Sequence, residues 1–326
     1  GVLFAVFTAL AAFGIGDGVQ SNAVSVLVTQ NFNIPGWVTG LVLSALTAVV
    51  LLGGIKRLSQ VCEKLVPLMA VIYIIGCIII LVMNAEFFFP AIKVICDAAF
   101  SAKALGGGFV ASTLMTAMRY GVARGLFSNE SGMGSAPIVC AAAQTRNAVR
   151  TGLVSSTGAF WDTVVICLVT GLVVVTSALH IEAAGLADSE LLSGNGSLVV
   201  HAAFSQIPVI GNFMLTFGLL TFAFSTILGW SYYGEKGAEY LFGPKSNIPY
   251  RCIYILVTFL GTVASLDIVW NIADALNALM TVPNLIAVLL LSGVVVKETK
   301  HYLTGNNIDE VDTTPIPLRT DLKTNK

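Results

Sequence analysis

Apolar residues along this chain do not alternate with polar ones. They run together in blocks separated by short polar connections. A helix of about 20 apolar residues crosses a bilayer. Eight blocks are long enough to do so, at approximately 1–28, 37–54, 65–83, 100–120, 151–178, 211–233, 251–268 and 276–296. The pattern predicts an all-α integral membrane protein.

Composition agrees. The 326 residues are 56% hydrophobic and 11% charged, with a mean hydropathy of +0.85, whereas soluble domains carry about a quarter charged residues. Of the 17 basic residues, only Lys93 and Lys103 fall in one alternate set of connections; the rest fall in the other set or in the tail. Basic loops stay in the cytoplasm, so the pattern predicts a multi-pass protein of the cytoplasmic membrane with both ends of this chain inside. The outer loops are then 84–99 and 179–210, and 304–326 reads as a disordered cytoplasmic tail. The chain opens inside an apolar run, GVLFAVFTALAAF, with no Met and no basic stretch, which reads as a chain lacking its upstream part.

A net charge of −1 without a basic stripe gives no reason to expect a nucleic-acid partner. The six cysteines are scattered and form no CxxC pair, so they read as buried thiols. The three histidines are dispersed too. Trp37, Tyr73 and Trp270 fall near predicted interfaces and read as aromatic belts.

Irregular helix at depth is tolerated only where it lines a cavity or is buried in protein, and three spans carry such marks. In FGIGDGVQSNAVS (13–25), three glycines surround Asp17, and Gln20 and Asn22 follow. A carboxylate inside a span marks function by default; alternatively the span ends near residue 20 and these groups are wet. In ALGGGFVASTLMT (104–116), Gly106, Gly107 and Gly108 sit near mid-span. Each costs about 1 kcal/mol in a helix relative to Ala, and the triple reads equally as close helix packing or as an unwound break. In LLTFAFSTILGWSYYGE (219–235), Ser225 and Thr226 place adjacent hydroxyls in mid-membrane. Such hydroxyls usually bond their own i−4 carbonyl, yet oxygen ligands also suit a hard cation such as Na⁺. Asp162 either faces the bundle or is solvated.

GLFSNESGMGSAPIVCAAAQTRNAVRTG (125–152) is the most polar long stretch in the membrane region. It lacks the lysine of a phosphate loop, and MGSAP is not the GxSxG of a nucleophile elbow. No HExxH and no paired intramembrane catalytic residues occur, so an enzyme is not expected and no cofactor is called for. Movement of a solute remains.

RYGVARGLFSNESGMGSAPIVCAAAQT (119–145) resembles the signature loop of the sodium:alanine symporter family, the alanine or glycine:cation symporters. The resemblance continues in 13–23, 40–73, 224–243 and 270–297, and covers the chain up to its tail. It implies a secondary transporter of eleven spans, built as an inverted-repeat, five-plus-five helix bundle after one extra helix. The eight spans correspond to the family's fourth to eleventh, with the first three family helices missing. The partial first repeat then covers about 1–83 and the second about 100–303, within a transmembrane region of 1–303.

The resemblance further implies a small neutral amino acid, alanine or glycine, carried with Na⁺ as the coupling ion. It places Gln20, Asn22, Gly106, Gly107, Gly108, Phe109, Thr113 and Trp230 at the amino-acid pocket. Phe222, Ser225 and Thr226 fall at the sodium site. Arg124, Ser128, Asn129 and Glu130 form a cytoplasmic gate, with the polar stretch as its hinge. At Asp17 the family commonly has Asn. Against this stand a passive channel or facilitator and a non-transporting membrane fragment. A larger substrate such as glutamine also stays open.

Overall fold

The computed structural model describes residues 1–100, 121–130, 132–143, 145, 147–185, 196–305 and 307–310. All regular elements among them are helices. The helical run α1 spans Val2–Phe32 and is followed by α2 (Gly36–Leu51) and α3 (Gly54–Met83). Next come α4 (Phe88–Phe100), α5 (121–129) and the short α6 (Ala136–Cys140). The long α7 covers Ala148–Ala183 and α8 covers Gly196–Ser205. The remaining elements are α9 (Gly211–Phe242), α10 (Asn247–Val263), α11 (Leu266–Leu290) and α12 (Ser292–Thr299).

Five helices among the described residues are long and apolar enough to cross a membrane: α1, α3, α7, α9 and Ile268–Leu290 of α11. The predicted span at 37–54 is the shorter apolar helix α2, and the one at 251–268 is the 17-residue α10. The predicted span at 100–120, with its three glycines, lies outside the described residues except for its first position.

Two expected loops contain helix. Residues 88–100 form α4, which displays Phe89, Val94 and Ile95 on an exposed apolar face. Within 179–210, α8 sends Ala203 and Phe204 into a core with Cys77, Ile80, Val173 and Leu215. Both helices are too short to span a bilayer, so a pattern of bilayer-length apolar blocks does not reveal them. The expected tail also begins folded: Asn147 donates to the carbonyls of Ile308 (2.9 Å) and Glu310 (3.3 Å) while capping α7 at the Arg150 amide.

The larger core joins α1, α2, α9, α10 and α11. Small residues let their backbones approach. A Cβ built on Gly16 of α1 would lie 2.0 Å from the Trp230 Cβ of α9; one on Gly261 of α10 would lie 2.1 Å from the Ser21 Oγ of α1. Hydrogen bonds add to this seam. Tyr250 donates to the Ala9 carbonyl at 2.8 Å, and Ser25 donates to the Thr262 carbonyl at 2.8 Å.

The cysteines depart from expectation. Cys77 is buried, but Cys96, Cys167 and Cys252 lie on exposed faces, and all six are free. An apolar run in a membrane protein has a lipid-facing side as well as a core, so hydropathy alone does not bury a thiol.

Candidate functional site

The middle of α1 is not an ordinary helix. Residues Ala12–Gly18 form a widened π turn, with all but Phe13 buried. The turn begins three residues after the Ala9 carbonyl, which accepts the Tyr250 hydroxyl. Such turns concentrate at functional sites. The helix then continues to Phe32, where Asn33 ends it in a left-handed conformation (φ 53°). The alternative in which this span stops near residue 20 with wet polar groups is therefore wrong: Asp17 is fully buried and Asn22 nearly so.

Asn22 donates to two carbonyls at the end of α10, Gly261 at 3.0 Å and Ala264 at 2.8 Å, while its Oδ1 has no partner among the described residues. Gln20 is half-buried beside it. Trp230 of α9 is buried against Gly16 and meets Tyr233 edge-on at 5.3 Å. Gly106, Gly107, Gly108, Phe109 and Thr113 lie outside the described residues.

Phe222, Ser225 and Thr226 converge on a single atom. The hydroxyls of Ser225 and Thr226 both donate to the Phe222 carbonyl, at 2.8 and 3.0 Å, and Ser225 also lies 3.8 Å from the Met69 sulfur of α3. Each hydroxyl uses its proton in the i−3 or i−4 bond and keeps lone pairs free. The group is an oxygen cluster on one face of α9, chemistry that suits a hard monovalent cation if a facing element completes the shell.

The polar stretch is strapped to three long helices. Arg124 on α5 makes a two-pronged ion pair with Asp274 of α11 (3.2 and 2.9 Å) and lies 3.9 Å over the Trp270 ring one turn earlier. Ser128 donates to both carboxylate oxygens of Asp162 in α7 (2.7 and 2.9 Å), and Thr163 donates to the Asn129 Oδ1 at 2.9 Å. Asp162 sits in a second π turn, Phe160–Cys167.

Glu130 then turns the chain in a left-handed conformation (φ 53°), followed by Gly132 and Gly134 at φ 80° and 88°. Its carboxylate accepts the Ser135 hydroxyl at 2.8 Å and lies within reach of the Trp230 side chain. Burial pushes the Glu130 carboxyl up to about 7, against the pull of these two donors. The turn is fixed to α11 again, because Asn284 donates to the Gly132 carbonyl at 2.8 Å.

Sequence reasoning did not assign Asp274, Asn284 or Asp162 to this region, and it read Trp270 as a belt residue. The one available signal was the spacing of Trp270 and Asp274, four apart on one helix face. Tyr73, also read as belt, instead bonds Thr170 at 2.9 Å and stacks on Phe204.

A helical bundle with several apolar spans, irregular buried turns and polar groups gathered between helices is the architecture of a multi-pass membrane protein, and one that suits passage of a solute. The model of the sodium:alanine symporter family matches residues 1–314, and the chain belongs to that family of amino acid and sodium symporters. It is 48% identical over 302 residues to the sodium/alanine symporter AgcS of Methanococcus maripaludis, covering 93% of this chain and 64% of that protein. An uncharacterised transporter of Haemophilus influenzae is 44% identical over 313 residues, covering 95% and 67%. The amino-acid carrier protein AlsT of Bacillus subtilis is 33% identical over 307 residues, covering 93% and 62%. The chain thus spans about three fifths to two thirds of the length of these curated relatives.

Proposed function

We propose that the full-length protein is a sodium-coupled symporter of a small neutral amino acid, alanine or glycine first, working by alternating access across the cytoplasmic membrane. Membership of the family over residues 1–314, with 48% identity to a relative named as a sodium/alanine symporter, carries this reading. In it, Ser225, Thr226 and the Phe222 carbonyl supply oxygen ligands to Na⁺. Gln20, Asn22 and Trp230 border the amino-acid pocket, together with Gly106–Phe109 and Thr113. A small zwitterion needs one partner for its carboxylate and one for its ammonium group. The ends of a broken helix offer both, amide N–H groups at one end and free carbonyls at the other.

The same reading gives this chain eight spans within an inverted-repeat bundle, with the partial first repeat at about 1–83 and the second at about 100–303. In it both ends of this chain lie in the cytoplasm, a reading that the distribution of Lys and Arg supports. Arg124, Ser128, Asn129 and Glu130 close the inner side.

Equilibrium binding of labelled alanine to the purified full-length protein tests the proposal. Affinity should rise when choline is replaced by sodium, and glycine should compete. Equal affinity in the two salts would overturn sodium coupling; failure of alanine and glycine to bind at all would overturn the substrate class.

A further inference from the structure

Asp17 lies inside the widened turn of α1, fully buried; the Thr258 side chain is within its reach, and neither carboxylate oxygen has a well-formed hydrogen bond among the described residues. Among the described residues, three other helices pack against this turn: α9, α10 and α11. From α10, Tyr250, Tyr254 and Thr258 face the carboxyl group. Their hydroxyls are committed elsewhere: Tyr250 donates to the Ala9 carbonyl at 2.8 Å, Tyr254 to the Ile227 carbonyl at 2.9 Å and Thr258 to the Tyr254 carbonyl at 3.1 Å. From α9 comes Trp230, and the nearby Glu235 is held by Arg251 of α10 at 2.7 Å. From α11 come Val269, Ala273 and Leu276, while Asp274 is engaged by Arg124. Lys236 of α9 is held by Glu239 at 2.7 Å, so the cations on these elements are spent on other carboxylates.

A bare carboxylate in such a place costs several kcal/mol or more, so a cation must accompany it. A metal ion needs several oxygen ligands and room for them. Backbones crowd the seam beside the turn, where a Cβ on Gly18 would come within 3.2 Å of the Phe13 carbonyl oxygen, and one on Gly261 within 3.0 Å of the Gly18 Cα. A proton needs no room, and it makes one oxygen a donor to a backbone carbonyl, which has a second lone pair to offer.

We propose that Asp17 is a proton-binding site in the seam between α1 and α10, occupied when that seam is closed. Release splits the carboxylic acid into a carboxylate and a proton that passes to water, with no other reactant. The resulting charge has to be solvated, so release requires water between α1 and α10 and therefore an open seam. That this opening belongs to the transport cycle rests on the proposed function; the proton site itself does not.

Infrared spectroscopy of the full-length protein in lipid at neutral pH tests the site. The carbonyl stretch of an undissociated carboxylic acid should be present and should lose one component in Asp17→Asn. A spectrum in which this variant removes only ionised-carboxylate bands would overturn the proposal. Thr258→Val serves where Asp17→Asn does not fold: removing the facing hydroxyl should shift that component, and an unshifted band would overturn the assignment to Asp17. In alkaline buffer the wild-type protein should lose more thermal stability than Asp17→Asn; equal losses would overturn the link between the proton and the seam. Sodium-dependent alanine binding is a separate readout. Its failure with the infrared component intact would overturn the proposed function alone, and the converse result would overturn the proton site alone.

Discussion

Ser225 and Thr226 place two hydroxyls on one carbonyl, and the consequence differs between the two readings of such a cluster. If it only satisfies the helix, Thr226→Val removes one back-bond and little else. As part of a sodium shell, the same change removes a ligand worth roughly 1.4 kcal/mol or more, about tenfold in affinity. We expect the apparent sodium affinity of the full-length protein to fall by about that factor with its melting temperature nearly unchanged; unchanged sodium affinity would remove Thr226 from the site.

Glu130 carries a second residue-scale prediction. Its carboxyl is raised from an ordinary 4.5 to about 7, so the folded protein favours the neutral acid. The stability this gives is present below about pH 4.5 and is lost as pH rises through 7. Melting temperatures between pH 5 and 8 should decline more steeply in the wild type than in Glu130→Gln, and parallel profiles would contradict this. The positions of Asn22, Ser225 and Thr226 were legible in the sequence as polar groups at depth. The back-bonds of Ser225 and Thr226 to Phe222 were legible too, being local, but the partner of Asn22 was not, because a hydrogen bond to a carbonyl 239 residues away leaves no local pattern.

At the scale of elements, the widened turn of α1 and the small residues facing it decide how closely α1, α9 and α10 meet. Gly16→Ala would drive a methyl group into the stem of Trp230, which cannot swing aside from its own Cβ. Overpacking of this kind costs about 1–3 kcal/mol, to be read as a lowered melting temperature. The glycines of this turn were visible in the sequence as an irregularity, but a π turn and an unwound break look alike there.

The strap between α5 and α11 behaves differently. The Arg124–Asp274 pair is about two-fifths exposed, so breaking it with Asp274→Asn should change stability by less than about 1 kcal/mol. If the strap works as an inner gate, uptake should suffer in Asp274→Asn and recover in the swapped pair Arg124→Asp with Asp274→Arg. Uptake lost equally in the swapped pair would leave no role for the contact as a gate.

For the whole molecule, hydropathy blocks gave the membrane-spanning class and most helix positions, because the bilayer demands long, self-satisfied apolar segments. The helices α4 and α8 escaped, being too short for that rule, although α8 contributes Phe204 to a core. The family was legible because its signature stretch is long and polar. The straps that hold that stretch were not, since Asp274 and Asn284 look like ordinary polar residues within a span. In the proposed function, sodium entry drives amino-acid movement through the full-length protein. That coupling is tested most directly by alanine accumulation in proteoliposomes containing the full-length protein under an imposed inward sodium gradient. Uphill accumulation that collapses when the gradient is dissipated is expected. Equal uptake with and without sodium, never exceeding equilibrium, would contradict it.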